Sequence, residues 1–155
     1  MKKFLILIPI LLLILLATPV FAQEQPDILE IENGLVMGYD LNTGNIDQTQ
    51  RFGINFNLSD SIDAGFMFQQ GANQYAGGSF LLLRYALVEN LGLSLMYGDV
   101  GTPAGGVMVS YDLLSNNVED ISTVLRVNME YLLQDITGPV EDGIFGVSLS
   151  LGFGI

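Results

Sequence analysis

The chain has 155 residues, half of them hydrophobic, with 17 acidic residues against five basic ones and a net charge of −12. Such a chain offers no clustered Lys and Arg for a phosphate backbone, which excludes nucleic-acid binding, and its apolar content excludes an acidic disordered polymer. It has no cysteine and no histidine, which removes disulfides and a lipoprotein anchor together with any site built on imidazole or thiolate.

The N-terminus reads MKKFLILIPILLLILLATPVFAQ. Two lysines, an apolar run and the small-residue end Val20-Phe21-Ala22 make the pattern of an export leader, residues 1–22, cleaved after Ala22. An uncleaved anchor is the alternative, because the run is long for a leader. Cleavage removes Lys2 and Lys3 and leaves three arginines as the basic residues. Residues 23–33 are expected to form a short acidic segment, and 34–155 to carry the fold.

From Gly34 onward no helical period persists, whereas period two recurs in eight segments. Leu35, Met37, Tyr39 and Leu41 alternate over 34–42, and Phe52, Ile54, Phe56 and Leu58 over 51–59. The third segment, 62–70, carries Ile62, Ala64, Phe66 and Phe68; the fourth, 78–87, carries Leu81, Leu83, Tyr85 and Leu87. Leu91, Leu93, Leu95 and Tyr97 mark the fifth, 91–98, and Val107, Val109, Tyr111 and Leu113 the sixth, 105–113. Leu125, Val127, Met129, Tyr131 and Leu133 mark the seventh, 123–133. The last, 143–155, places Phe145, Val147, Leu149, Leu151, Phe153 and Ile155 on one face with Gly and Ser between Val147 and Ile155.

The alternate face is mostly Gly, Ser, Asn, Asp and Arg, with a few Met or Phe. A water-facing exterior would be rich in Lys, Glu and Thr, whereas small polar residues suit the crowded interior of a narrow barrel. The apolar face therefore looks out at lipid, and strands of about ten residues are what a tilted transmembrane strand requires. An all-β, eight-stranded, antiparallel up-and-down transmembrane barrel follows. With the first strand running upward, Tyr39, Phe52, Phe68, Tyr97, Tyr131 and Phe145 are expected in an upper aromatic girdle and Tyr85, Tyr111 and Phe153 in a lower one. SDS at 59–61 and VEN at 88–90 read as short turns on the lower side. NTGNIDQT, QGANQYAG and QDITGPVEDG read as longer loops on the upper side, and LSNNVEDIS as a lower connection longer than usual.

An export leader, eight alternating segments and an alternating C-terminal strand resemble the small eight-stranded outer-membrane barrels of the OmpX and OmpA-transmembrane type. The resemblance is architectural and covers essentially the whole chain after the leader. It implies residence in the outer membrane of a Gram-negative-type envelope, and it makes Val147, Leu149, Leu151, Phe153 and Ile155 a C-terminal signal read by the host's barrel-insertion machinery. The terminal Ile155 departs from the aromatic residue usual there.

All three arginines, Arg51, Arg84 and Arg126, fall on the inward face. Each has an inward acid mirrored in its own hairpin: Asp40 for Arg51, Asp63 for Arg84 and Asp112 for Arg126, with Glu130 able to reach Arg51 across the lumen. These are expected to form a buried ionic network, which serves either as a polar plug or as the constriction of a narrow pore. No carboxylate pair is singled out for acid–base work, and the acids of VED and EDG lack the pattern of a calcium loop. The expectation is a non-enzymatic, monomeric outer-membrane barrel with a structural or surface-contact role, no cofactor, and the lipid bilayer as its partner. A narrow pore for water, ions or a small apolar solute is the alternative, and a soluble periplasmic lipid-carrying barrel a further one. The near-absence of Lys and Arg on the loops points to a membrane poor in anionic lipid, or to a barrel that does not touch such lipid tightly.

Overall fold

The computed structural model describes residues 28–73, 75–119, 121–137 and 143–155. The leader 1–22, its cleavage point and the first residues of the acidic segment lie outside them. The described residues contain eight strands: β1 (Leu29–Asp40), β2 (Ile46–Ser59), β3 (Ile62–Gln69), β4 (Gly78–Val88), β5 (Leu91–Asp99), β6 (Pro103–Val118), β7 (Ile121–Leu133) and β8 (Gly143–Gly154). Each pairs antiparallel with the next, and β1 pairs with β8, so the sheet closes on itself. The N–H groups of Ile28 and Leu29 donate to the carbonyl of Ile155 at 2.8 and 3.2 Å, and the N–H of Ile155 donates to Leu29 at 3.0 Å. The ladder is thereby tied at the chain's last residue.

The paired positions slip by about ten residues along the strands in one circuit, and in eight strands this corresponds to a tilt of roughly 40°. At that tilt a strand as long as β8, 12 residues, rises about 30 Å. Alternation decides which side of the wall each residue takes. Leu35, Phe66, Leu83, Leu95, Val109 and Leu149 are among the outward side chains, each exposed, while Thr49, Arg51, Ser94, Ser110, Arg126 and Asn128 are buried inside.

Strand ends depart from expectation in three places. β1 begins at Leu29, so Glu30 and Glu32 belong to the strand rather than to an acidic tail; they face inward between outward Leu29, Ile31 and Asn33. β2 begins at Ile46, which shrinks the first loop to residues 41–45. There the Asp40 carboxylate accepts from the N–H groups of Asn42 at 2.7 Å and Thr43 at 3.0 Å, and Gly44 takes the φ of 72° that closes the turn. β6 and β7 run on to Val118 and Ile121, so LSNNVEDIS is mostly strand, and a tight turn leaves β6 standing past the rim set by β5. Bulges occur at Asn57/Ser59, Ala86/Val88 and Asp112/Leu114. All lie close to the lower turns, where a bulge increases twist and ends regular pairing.

A chain shortened to begin at Gly34 loses the β1–β8 rungs from Glu30↔Gly154 to Asn33↔Leu151 and two lumenal acids. It is expected to give no heat-resistant folded form in detergent, whereas a chain beginning at Ile28 gives one; a gel-mobility assay with and without boiling distinguishes them.

Candidate functional site: the barrel lumen

The lumen is arranged in layers. In the lower one Arg126 on β7 is the hub. Its Nε donates to Asp112 Oδ1 at 2.6 Å, and its Nη1 donates to Glu30 Oε1 and Glu32 Oε2, each at 2.8 Å. Arg84 on β4 stands farther off, 3.8 Å from Glu30 and 3.6 Å from Asp112, and adds Coulombic attraction without a short bond. Asn55 donates to Glu30 at 3.2 Å. The Asp112–Arg126 pair expected from the hairpin is present, directly opposed in the ladder. Asp63 is opposite Arg84 in register, but the guanidinium turns to Glu30 and Asp112, and Asp63 accepts from Asn57 at 3.3 Å instead.

The upper layer is built on Arg51. Its Nη1 bonds Glu130 of β7 across the lumen, as the extra-acid reading anticipates, and its Nε and Nη2 donate to Gln69 Oε1 at 2.8 and 2.5 Å. The expected Asp40–Arg51 pair is not formed. With β2 starting at Ile46, Arg51 lies opposite Gly34, and Asp40 is spent on the turn above. The mirror pairing failed because it centred the hairpin between Asn45 and Ile46, whereas the ladder centres it between Asn42 and Thr43.

Above Arg51 the β3–β4 connection folds into the mouth rather than out of it. Ala72 and Tyr75 bridge each other through N–H donations of 2.9 Å in both directions. Gln69 Nε2 donates to the Ala76 carbonyl at 2.8 Å, the Ala76 N–H donates to Gln134 Oε1 at 2.5 Å, and Asn73 donates to Asp47 at 2.8 Å. The Tyr75 side chain is only 2% exposed. Its ring lies 5.8 Å from the Arg51 guanidinium carbon, a cation–π distance, and its hydroxyl takes the space where a Cβ on Gly38 would stand. Burial, reinforced by Glu130 and opposed by Arg51, pushes the pKa of this hydroxyl up, and the hydroxyl has no hydrogen-bond partner among the described residues. Tyr75 belongs to one buried apolar cluster with Val36, Phe80, Met96, Leu132 and Ile144.

Between the layers lies a cavity of about 30 Å³, walled on one side by Met67, Leu82 and Met108 and on the other by Asn128, Ser148 and Ser150. That is room for about two waters. Asn128 Nδ2 donates to Ser148 at 3.0 Å and Ser150 at 3.1 Å, and Ser150 in turn donates to Glu32. A polar strip thus joins the middle of the lumen to its lower layer. Ser94 Oγ, Ser110 Oγ, Asn128 Oδ1 and Glu130 Oε1 are buried without partners among the described residues. No cluster of three or more His, Cys, Asp or Glu fit to hold a metal ion occurs among them.

The outward aromatics sort by strand position. Tyr39, Phe68, Tyr97, Tyr131 and Phe145 lie near the upper ends of their strands, and Tyr85 and Phe153 near the lower ends. Tyr111, though central in β6, pairs with Leu91 at the start of β5 and so is at lower-rim level. Phe52 is a correction: in the longer β2 it is a mid-strand residue, and Phe56, opposite Leu29, is the one near the lower rim. Val147, Leu149, Leu151, Phe153 and Ile155 all point outward and are exposed. Glu30, Glu32, Gln69 and Tyr75 are the lumenal residues the sequence reading left out. The first two were legible in their alternation with Leu29 and Ile31; the loop tyrosine had no periodic pattern to mark it.

No family model, curated protein or solved structure matches this chain.

Unfolding stability of variants at Glu130 and Tyr75 tests the layers. Glu130→Leu leaves Arg51 buried without its counter-ion and is expected to cost about 3–5 kcal/mol in denaturant unfolding, most of it recovered in the double variant with Arg51→Met. Tyr75→Phe removes a hydroxyl that makes no bond and is expected to hold stability level or raise it by about 1 kcal/mol. Tyr75→Ala, which empties the mouth, is expected to cost about 3–5 kcal/mol.

Proposed function

We propose that this protein is a non-enzymatic integral outer-membrane barrel with a structural or surface-contact role and a closed lumen. The observation that carries the reading is the outer wall. Large apolar side chains stand exposed on all eight strands, an area far beyond what a water-soluble monomer leaves uncovered. A closed barrel satisfies its backbone internally, which is what a sheet in hydrocarbon needs, and the rise of about 30 Å given by the tilt suits a bilayer core. The leader-like residues 1–22 and the alternating C-terminal strand support export and delivery to the insertion machinery. A closed lumen is supported by Tyr75, Phe80, Leu132 and Ile144, each buried to 2% exposure or less in the upper half, above the Arg126 network.

A narrow pore is the second reading, favoured by the central cavity and its unpartnered Ser94, Ser110 and Asn128 oxygens. Bilayer conductance separates the two. The closed-lumen reading expects none from the wild type, and a conductance abolished by replacing Arg126 or Glu130 would favour the pore. A lipid carrier would need the apolar set of every strand inside, where these strands put Gly, Ser, Asn and charged residues alongside a smaller apolar group.

The membrane reading is tested by substitution on the two faces. Leu95→Arg and Val127→Arg, outward and near mid-belt, are each expected to cost about 2–4 kcal/mol in lipid, whereas inward Ser94→Ala is expected to stay within about 0.5 kcal/mol. Equal tolerance on both faces, or a monodisperse protein without detergent, would overturn it.

A further inference from the structure

We propose that the outer face of β1 and β2 around Asn33 is a contact between two copies of this chain, related by a two-fold axis along the membrane normal. The proposal rests on the membrane reading above and departs from the monomer expected from the sequence.

Asn33 points outward and is exposed. On its own strand the next outward residues are Ile31 and Leu35, and its ladder partners are Phe52 on β2 and Leu151 on β8. All four are themselves exposed apolar side chains, between 39% and 50%. Among the described residues no other outward polar side chain is ringed by apolar neighbours on every side. Outward Ser79 has Asp99 beside it, and Thr123 has Asn116. No side-chain bond to Asn33 is formed among the described residues. Gln50, opposite Leu35, and Gln48, opposite Met37, continue a line of amides up the same face.

An amide in hydrocarbon has donors and acceptors with nothing to meet them, so its presence in mid-belt requires a partner. The amide is self-complementary, since its carbonyl accepts what another amide's NH₂ donates. A two-fold axis along the membrane normal keeps every residue at its own depth, so Asn33 of one copy faces Asn33 of the other. Gln50 then lies at equal depth to its counterpart one rung higher. Polar pairs of this kind hold transmembrane segments together where no hydrophobic drive exists between them, and a closed isologous contact ends at two copies.

Because the chain has no cysteine, one introduced cysteine reports one contact. Leu35→Cys, with Asn33 intact, is reconstituted in phosphatidylcholine vesicles at low protein-to-lipid ratio and oxidised, and the disulfide dimer is read on a non-reducing gel. Leu95→Cys on β5, the opposite wall, is the control for random collision. The proposal expects a dimer band from Leu35→Cys well above the control, and a loss of about fivefold when Asn33→Leu is added. Cross-linking equal at the two walls, or indifferent to Asn33→Leu, overturns it. The heat-dependent gel shift of the same samples keeps the two readings apart. Shifted protein that does not cross-link sinks the dimer and leaves the membrane barrel standing, whereas protein that stays monodisperse without detergent sinks both.

Discussion

Closure of the sheet between β1 and β8 is the constraint on which everything else depends. Once eight strands of period-two sequence are joined in a ring, each residue is inside or outside with no third choice. A lumen of this width admits side chains and little else, so every inward residue must fit, and a charge among them needs a counter-charge. The three arginines of the described chain are held on those terms, each within reach of a carboxylate. Outside, the same alternation leaves an apolar wall interrupted at Asn33.

The interior solves a charge problem with unequal means. Arg51 has one carboxylate and one amide on separate strands, and the loop carrying Tyr75 covers it from above. Arg126 is surrounded by Glu30, Glu32 and Asp112. Arg84 is the least tightly held, at distances that give attraction but little direction. Between them the apolar Met67, Leu82 and Met108 share the lumen with Asn128 and the serines, so the core is half oil and half amide.

The eight strands and their antiparallel order were legible because period-two alternation is long-range, repeated and punctuated by turn residues. The inside-out orientation was legible in the small size of the polar face. Boundaries failed where charged and polar residues masked alternation: Glu30 and Glu32 looked like a solvated tail, and Asp47 and Gln48 looked like loop, yet all lie in strands. Those slips moved the centre of the first hairpin and produced the wrong partner for Arg51. The Asp112–Arg126 pair survived because its hairpin was centred correctly. Tyr75 was invisible for a different reason, since a loop that folds inward leaves no pattern in one dimension.

Seven of the eight seams in this barrel join strands adjacent in the chain, and the eighth joins the first strand to the last. Loop closure over nearly the whole chain is the costliest ordering step, so that seam is the natural last one to form. It is also the one that delivers Glu30 and Glu32 to Arg126. Until β1 docks, Arg126 has Asp112 alone beside it in its own hairpin; afterwards it has a full set of acceptors. The acidic face of the first strand therefore acts as a clasp, fastening the ring where the first strand meets the last.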